Sequence, residues 1–144
     1  MCKPVLILMS KWHAPGRCKS RLASEIGSDR AAWIQARLTN HTISVALLLE
    51  EKGLVEVQLA ISGLANKAAK RWGTNQGIKI IRTQGKGSLG LRMRRQCLRA
   101  QTNQRARKGN GRTTILIGTD LPNLCITDLM GAFESLNKND LVIG

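Results

Sequence analysis

Pro4–Ser10, P-V-L-I-L-M-S, runs directly into Lys11–Leu22, K-W-H-A-P-G-R-C-K-S-R-L. The continuous apolar run Val5–Met9 has the character of a parallel strand buried on both faces, where inside-outside alternation is lost. What it delivers is a turn holding Pro15, Gly16 and four basic residues: Lys11, Arg17, Lys19 and Arg21. Glycine lets the backbone bend and approach a ligand closely, proline stiffens the turn, and a following helix start aims free N–H groups at an anion. A solvated basic turn is the plain alternative, so the rest of the chain must decide.

Outward from that turn, the pattern alternates. Ser28 and Asp29 are placed to cap a long helix to about Lys52, with Trp33, Ala36, Ile43 and Leu47 on one stripe and Gly53 as its stop. His41 falls within this helix, where a packed or solvated histidine is expected rather than a ligand. Val55–Ile61 reads as a second strand, Leu64–Trp72 as a short helix closed by Gly73, and Ile78–Arg82 as a third strand. From Ser88 to about Lys108 the spacing predicts a strongly basic helix. Leu89, Met93, Cys97 and Ala100 share one face, expected inward; Arg92, Arg95 and Arg99 share another, expected outward. A hydrated arginine face is expected for Arg95, Arg99 and the Arg105–Lys108 end, while Lys86 and Arg92 are placed to reach a bound anion. Thr113–Gly118 is a fourth strand, Thr127 caps a helix to about Leu136 whose Ala132, Phe133 and Leu136 are available to pack, and Leu141–Ile143 begins a fifth strand.

Strands alternating with helices predict a three-layer α/β/α sandwich with a mostly parallel sheet and right-handed crossovers. Ligands in such sheets sit outside the carboxyl ends of the strands, where strand order reverses. With the order 3-2-1-4, the loops after strands one and four flank that crevice. The second of these loops is G-T-D-L-P, Gly118–Pro122, and no carboxylate lies between Glu56 and its Asp120. A lone acid opposite so much positive charge suits a divalent ion shared with substrate phosphates; an Asx turn before Pro122 is the structural alternative.

Composition narrows the partners. With 144 residues the chain is sized for one domain, and 23 Lys+Arg against 9 Asp+Glu leave a formal charge of +14. That balance attracts polyanions. Four cysteines without a C-x-x-C pair and two unrelated histidines make a zinc site or a disulfide framework unexpected. The apolar run near the N-terminus is shorter than a signal h-region and no run approaches a membrane span, so a soluble, cytoplasmic, reduced protein is expected. Gly85–Gly90, G-K-G-S-L-G, satisfies G-x-G-x-x-G, but the acid that would hold a ribose about twenty positions on is missing, so NAD or FAD binding is set aside. Walker A is absent.

K-x-x-x-P-G-R-x-K-[ST]-R-L after strand one, Q-G-x-G-x-L-G-x-R-M before the basic helix and G-[ST]-D-x-P after strand four together resemble the small bacterial glycosyltransferases described as arsenosugar-biosynthesis-associated. These have a GT-A fold within the nucleotide-diphospho-sugar transferase superfamily and are relatives of the phospholactate guanylyltransferases. The resemblance runs from Lys11 to Pro122. It implies a nucleotide-sugar partner, or an NTP with nucleotidyl transfer as the enzyme alternative, together with Mg²⁺ or Mn²⁺. By carry-over, Gly16, Lys19 and Arg21 face the phosphates, Gln84 to Arg92 with Gly90 line the nucleotide side, and Asp120 holds the metal; Lys11 and Arg17, bases of the same turn, are expected to join the phosphate contacts. His13 and Ser88 depart from the family, which commonly has proline and aspartate there. Family members also continue past a strand like D-L-V-I-G into P-A-x-D-G-G-Y, so the resemblance implies a domain incomplete at its C-terminal side. It nominates neither acceptor nor catalytic base. From another class, a basic nucleic-acid-binding protein using the arginine-rich helix has adequate charge. Yet one Phe, no Tyr and three Trp offer few stacking platforms.

Overall fold

The computed structural model describes residues 3–102 and 111–144. Among them the chain alternates β1 (Val5–Lys11), α1 (Ser20–Ile26), α2 (Ser28–Glu51), β2 (Glu56–Ser62), α3 (Asn66–Asn75), β3 (Ile80–Thr83), α4 (Leu89–Thr102), β4 (Thr114–Gly118) and α5 (Ile126–Leu136). The strands form one sheet in the order β3-β2-β1-β4, every pairing parallel. The expected α/β sandwich is therefore the observed one, and its order puts the reversal between β1 and β4.

Burial follows from the apolar run. Because β1 is central, Leu6 and Leu8 enter one core while Val5, Ile7 and Met9 enter the other. The first core is the larger: Val57, Leu59 and Ile61 of β2 meet Ile43, Ala46 and Leu49 of α2, Ala69 of α3 and Leu129 of α5. The opposite face is covered mainly by α4, through Ala100 against Ala60, Ile7 and Leu116. Phe133, Ala132 and Leu136 of α5 pack on the larger core as expected.

Several boundaries and faces differ from the sequence reading. A separate short helix α1 precedes Gly27, and it is Gly27, not Ser28 or Asp29, that stands at the start of α2. Ile43 and Leu47 pack on the larger core as expected, but Trp33 is 62% exposed, its ring under the Arg37 guanidinium at 5.2 Å, because the first turns of α2 bury Ala31, Ala32, Gln35, Thr39 and Thr42. Gly73 lies inside α3 and does not close it; any side chain there would strike Ile81. Leu141–Ile143 forms no strand among the described residues, and Leu141 and Ile143 are 74% and 85% exposed. Hydrophobic composition predicts a strand only where a partner edge is in register, and this segment pairs with none. The expected basic extension Arg105–Lys108 lies outside the described residues.

Candidate functional site: a cationic cleft at the β1/β4 switch point

The cleft opens at the carboxyl ends of β1 and β4, with a volume of about 540 Å³. Its charged lining comes from Lys11 at the end of β1, Lys19, Arg92 on α4 and Asp120 after β4. Of the residues singled out in the sequence, these are brought together; Gly16, Arg17, Arg21 and Gly90 do not line this cleft. Gly16 makes the turn with φ +75°, and Arg17 N–H closes it by donating to the Ala14 carbonyl at 3.0 Å. Arg17 and Arg21 are exposed, on the outer side of the loop and of α1.

Lys19 is held in the left-handed region, φ 46° and ψ 50°, the one such non-glycine residue among those described. A side chain there costs roughly 1–2 kcal/mol, and such residues gather where geometry matters more than local comfort. Its ammonium donates to Asp120 Oδ1 at 2.7 Å. The two turns thus meet across the mouth, one cationic, one bearing the only carboxylate on the cleft lining.

Beneath them lies a buried polar floor that the sequence reading missed. Ser10, Thr39 and Thr119 hydroxyls stand 3.3–3.4 Å from one another, and Gln35 Nε2 donates to Thr39 Oγ1 and to the Lys11 carbonyl, both at 3.3 Å. Polar residues belong on the buried face of a helix only where partners await them. The spacing Gln35, Thr39, Thr42 along α2 was the available signal.

Arg92 is fixed by another buried amide. Gln84 Nε2 donates to the Ser10 carbonyl at 2.8 Å and to the Ala60 carbonyl at 3.0 Å, tying β1 to β2, while its Oε1 accepts Arg92 Nη1 at 2.7 Å. The buried Arg92 Nε has no hydrogen-bond partner among the described residues. Next along α4, Arg95 donates to the Gln84 and Lys86 carbonyls at 2.6 and 2.8 Å, and Arg99 reaches the Thr83 carbonyl at 3.4 Å. The arginine stripe expected to face solvent therefore turns toward β3 and the loop after it. Long aliphatic stems let guanidinium groups cover a sheet end while their heads find carbonyls. Gly85, with φ +78°, leaves the room Arg95 needs, since a Cβ there would sit 2.7 Å from Nη1. The face expected inward splits: Ala100 is buried and Cys97 half-buried, whereas Leu89 and Met93 overhang the cleft as its apolar wall. Lys86 does not line the cleft.

The histidines have structural surroundings. His41 Nε2 bonds the Leu124 carbonyl at 2.9 Å, pinning α2 to the segment before α5. His13 stacks near Trp12 with ring centroids 4.0 Å apart, and Trp12 meets Trp72 edge-on at 5.4 Å; partial burial lowers the His13 pKa from its ordinary 6.5. No group of three His, Cys, Asp or Glu side chains suited to a metal occurs among the described residues. Nor is any helix among them long and apolar enough to cross a membrane.

Residues 45–144 match the family model DUF2064, described as an uncharacterized protein conserved in bacteria. The chain belongs to DUF2064. No curated protein matches this DUF2064 chain. Among solved structures it is similar to a crystal structure named "putative nucleotide-diphospho-sugar transferase" from Desulfovibrio desulfuricans G20, with TM-score 0.71 and 20% identity. The alignment covers 95% of this chain and 55% of that one, so the DUF2064 chain spans about half the length of its structural neighbour. At that identity the likeness establishes the fold, an α/β architecture of the GT-A kind.

Proposed function

We propose that this DUF2064 chain is a single transferase-like domain that binds the diphosphate of a nucleotide-sugar in the β1/β4 cleft and serves glycosyl transfer, as a relative of the arsenosugar-associated type. The observation that carries this reading is the 2.7 Å approach of Lys19 Nζ to Asp120 Oδ1 at the mouth of the crevice. It rests also on the position of that crevice, since parallel α/β sheets bind ligands where strand order reverses. The similarity of fold to a protein named for the same class agrees with it.

In this reading Lys19, Lys11 and Arg92 meet the phosphate oxygens. Arg92 arrives already oriented by Gln84, so little side-chain freedom is lost on binding. Fixed cations of this kind stabilise charge that grows on a diphosphate as the glycosyl bond breaks. Leu89 and Met93 would exclude water along one wall.

A divalent metal fits in one manner only. Asp120 is a single carboxylate with an exposed side chain, its Oδ1 engaged by Lys19, which is too little to hold a cation unaided. Mg²⁺, however, is commonly bound by one or two carboxylates together with substrate phosphates and water. Asp120 would be the protein ligand to Mg²⁺ or Mn²⁺ in that shared site, and the ion would supply charge neutralisation of the leaving diphosphate.

Isothermal titration with UDP- and GDP-sugars, with and without Mg²⁺, tests the proposal. Binding that Mg²⁺ strengthens and Lys19→Gln weakens at least tenfold supports it. Failure to bind any nucleotide-sugar, or binding indifferent to both Lys19→Gln and Asp120→Asn, overturns it.

A further inference from the structure

A second basic cleft, of about 550 Å³, lies on the flank of the sheet at its outermost strand β3. It is lined by Asn66 and Lys70 of α3, Ile81, Arg82 and Thr83 of β3, and Arg99 of α4, with no carboxylate among them. Three cations from three elements therefore converge on one concavity. We propose that this cleft is a second anion site, taking a phosphate monoester between Lys70, Arg82 and Arg99.

The strongest support is a donor without an acceptor. Arg82 Nη1 is buried and has no hydrogen-bond partner among the described residues. An unmet buried donor costs roughly 1–3 kcal/mol, more when charged, and such atoms call for an explanation. Burial first, and then the Arg99 charge, lower the Arg82 pKa, with the Glu56 charge acting the other way. The acid closest to hand electrostatically, Glu56, has its Oε1 taken by Arg112 at 2.9 Å and by Gln58 at 2.9 Å. Among the described residues Arg99 makes one long side-chain bond, to the Thr83 carbonyl, and its guanidinium has further N–H groups. A tetrahedral dianion would accept from both forks and the Lys70 ammonium together, replacing repulsion by charge-assisted bonds.

This site is separate from the cleft at β1/β4. Arg92 and Arg99 stand seven residues apart on α4, which is roughly 10 Å along a helix axis. The proposal thus goes beyond the nucleotide-sugar reading and does not rest on it. Its shape favours a small monoester over a nucleic-acid backbone. A duplex needs cations spread along an outward surface to displace its counterions, whereas these three surround a hollow, and of the α4 arginines Arg92, Arg95 and Arg99 bond to the end of β3 and the loop after it while Arg94 is exposed.

Titration of the full chain with inorganic phosphate and with glycerol 3-phosphate, followed by amide chemical shifts in NMR, tests it. We expect saturable shifts at Asn66, Arg82, Thr83 and Arg99, retained in Lys19→Gln and weakened at least fivefold in Lys70→Gln and in Arg99→Gln. Arg82→Gln should abolish them; because Arg82 is partly buried, its melting curve is measured alongside, and the Lys70 and Arg99 variants decide if it unfolds. Shifts that are absent, or that persist unchanged in both Lys70→Gln and Arg99→Gln, overturn the site. Binding of a DNA duplex through these residues without binding of either monoester overturns it as well.

Discussion

Lys19 Nζ and Asp120 Oδ1 stand 2.7 Å apart although the residues are separated by 101 positions in sequence, and this ion pair closes the mouth of the β1/β4 cleft. A diphosphate and a cation would compete for its two halves: the phosphate for the ammonium, the metal for the carboxylate. That competition gives the pair opposite signatures with and without metal.

Asp120→Asn should therefore strengthen metal-free binding of a nucleoside diphosphate, by about two- to fivefold, because the Lys19 charge is no longer shared. In saturating Mg²⁺ the same variant should bind more weakly than the wild type. The folding midpoint should hardly move, since exposed ion pairs contribute about 0–1 kcal/mol. Calorimetric titration in EDTA and in Mg²⁺ checks both signs.

Gln84→Leu should destabilise the protein by roughly 2–3 kcal/mol, because the Ser10 and Ala60 carbonyls and the Arg92 guanidinium each lose a partner in a buried place. Urea unfolding measures this. Arg92→Lys retains the charge but cannot reproduce a planar, oriented fork, so it should lower nucleotide affinity while stability falls by less than in Gln84→Leu.

Two glycines separate packing from approach. Gly73→Ala places a Cβ 2.6 Å from Ile81 Cγ1, and overpacking of this kind costs about 1–3 kcal/mol, enough to outweigh the gain in helix propensity. Gly90→Ala meets nothing within 4 Å at the start of α4 and should be neutral or slightly stabilising. Because Gly90 does not line the β1/β4 cleft, its alanine variant should keep nucleotide binding together with stability, which thermal melts and titration together reveal.

The bond from Arg112 holds the Glu56 carboxyl below its ordinary value of 4.5, helped by Gln58 and opposed by partial burial. A carboxyl whose folded pKa is depressed contributes stability above its unfolded pKa and loses it as pH falls through the folded value. Denaturation midpoints should accordingly drop from about pH 4.5 downward in the wild type, and more shallowly in Glu56→Gln. An identical acid profile in the variant would place the dependence elsewhere.

The element order, the basic glycine turn at Lys11–Arg21 and the solitary Asp120 were readable because each is local: an apolar run, a glycine turn, a gap in the acids. Faces were less readable. On α2 the expected stripe holds at Ile43 and Leu47, which pack on the larger core, and fails at Trp33, because the buried face also carries Gln35, Thr39 and Thr42, and amphipathic pattern alone ranks such polar residues outward. At the C-terminal side, Leu141–Ile143 has strand composition but no pairing in the described structure.

Sequence by itself determined the alternation of strand and helix, and with it the parallel sheet, since a buried run and a helical repeat are written in consecutive residues. It also determined the formal charge of +14. Tertiary structure alone decided which way α4 turns its arginines, that Gln84 rather than solvent holds Arg92, and that Lys19 meets Asp120. Helical periodicity fixes which side chains share a face, but the direction of that face depends on carbonyls and carboxylates supplied by strands far away in the chain. Only the folded sheet brings those acceptors within hydrogen-bond reach.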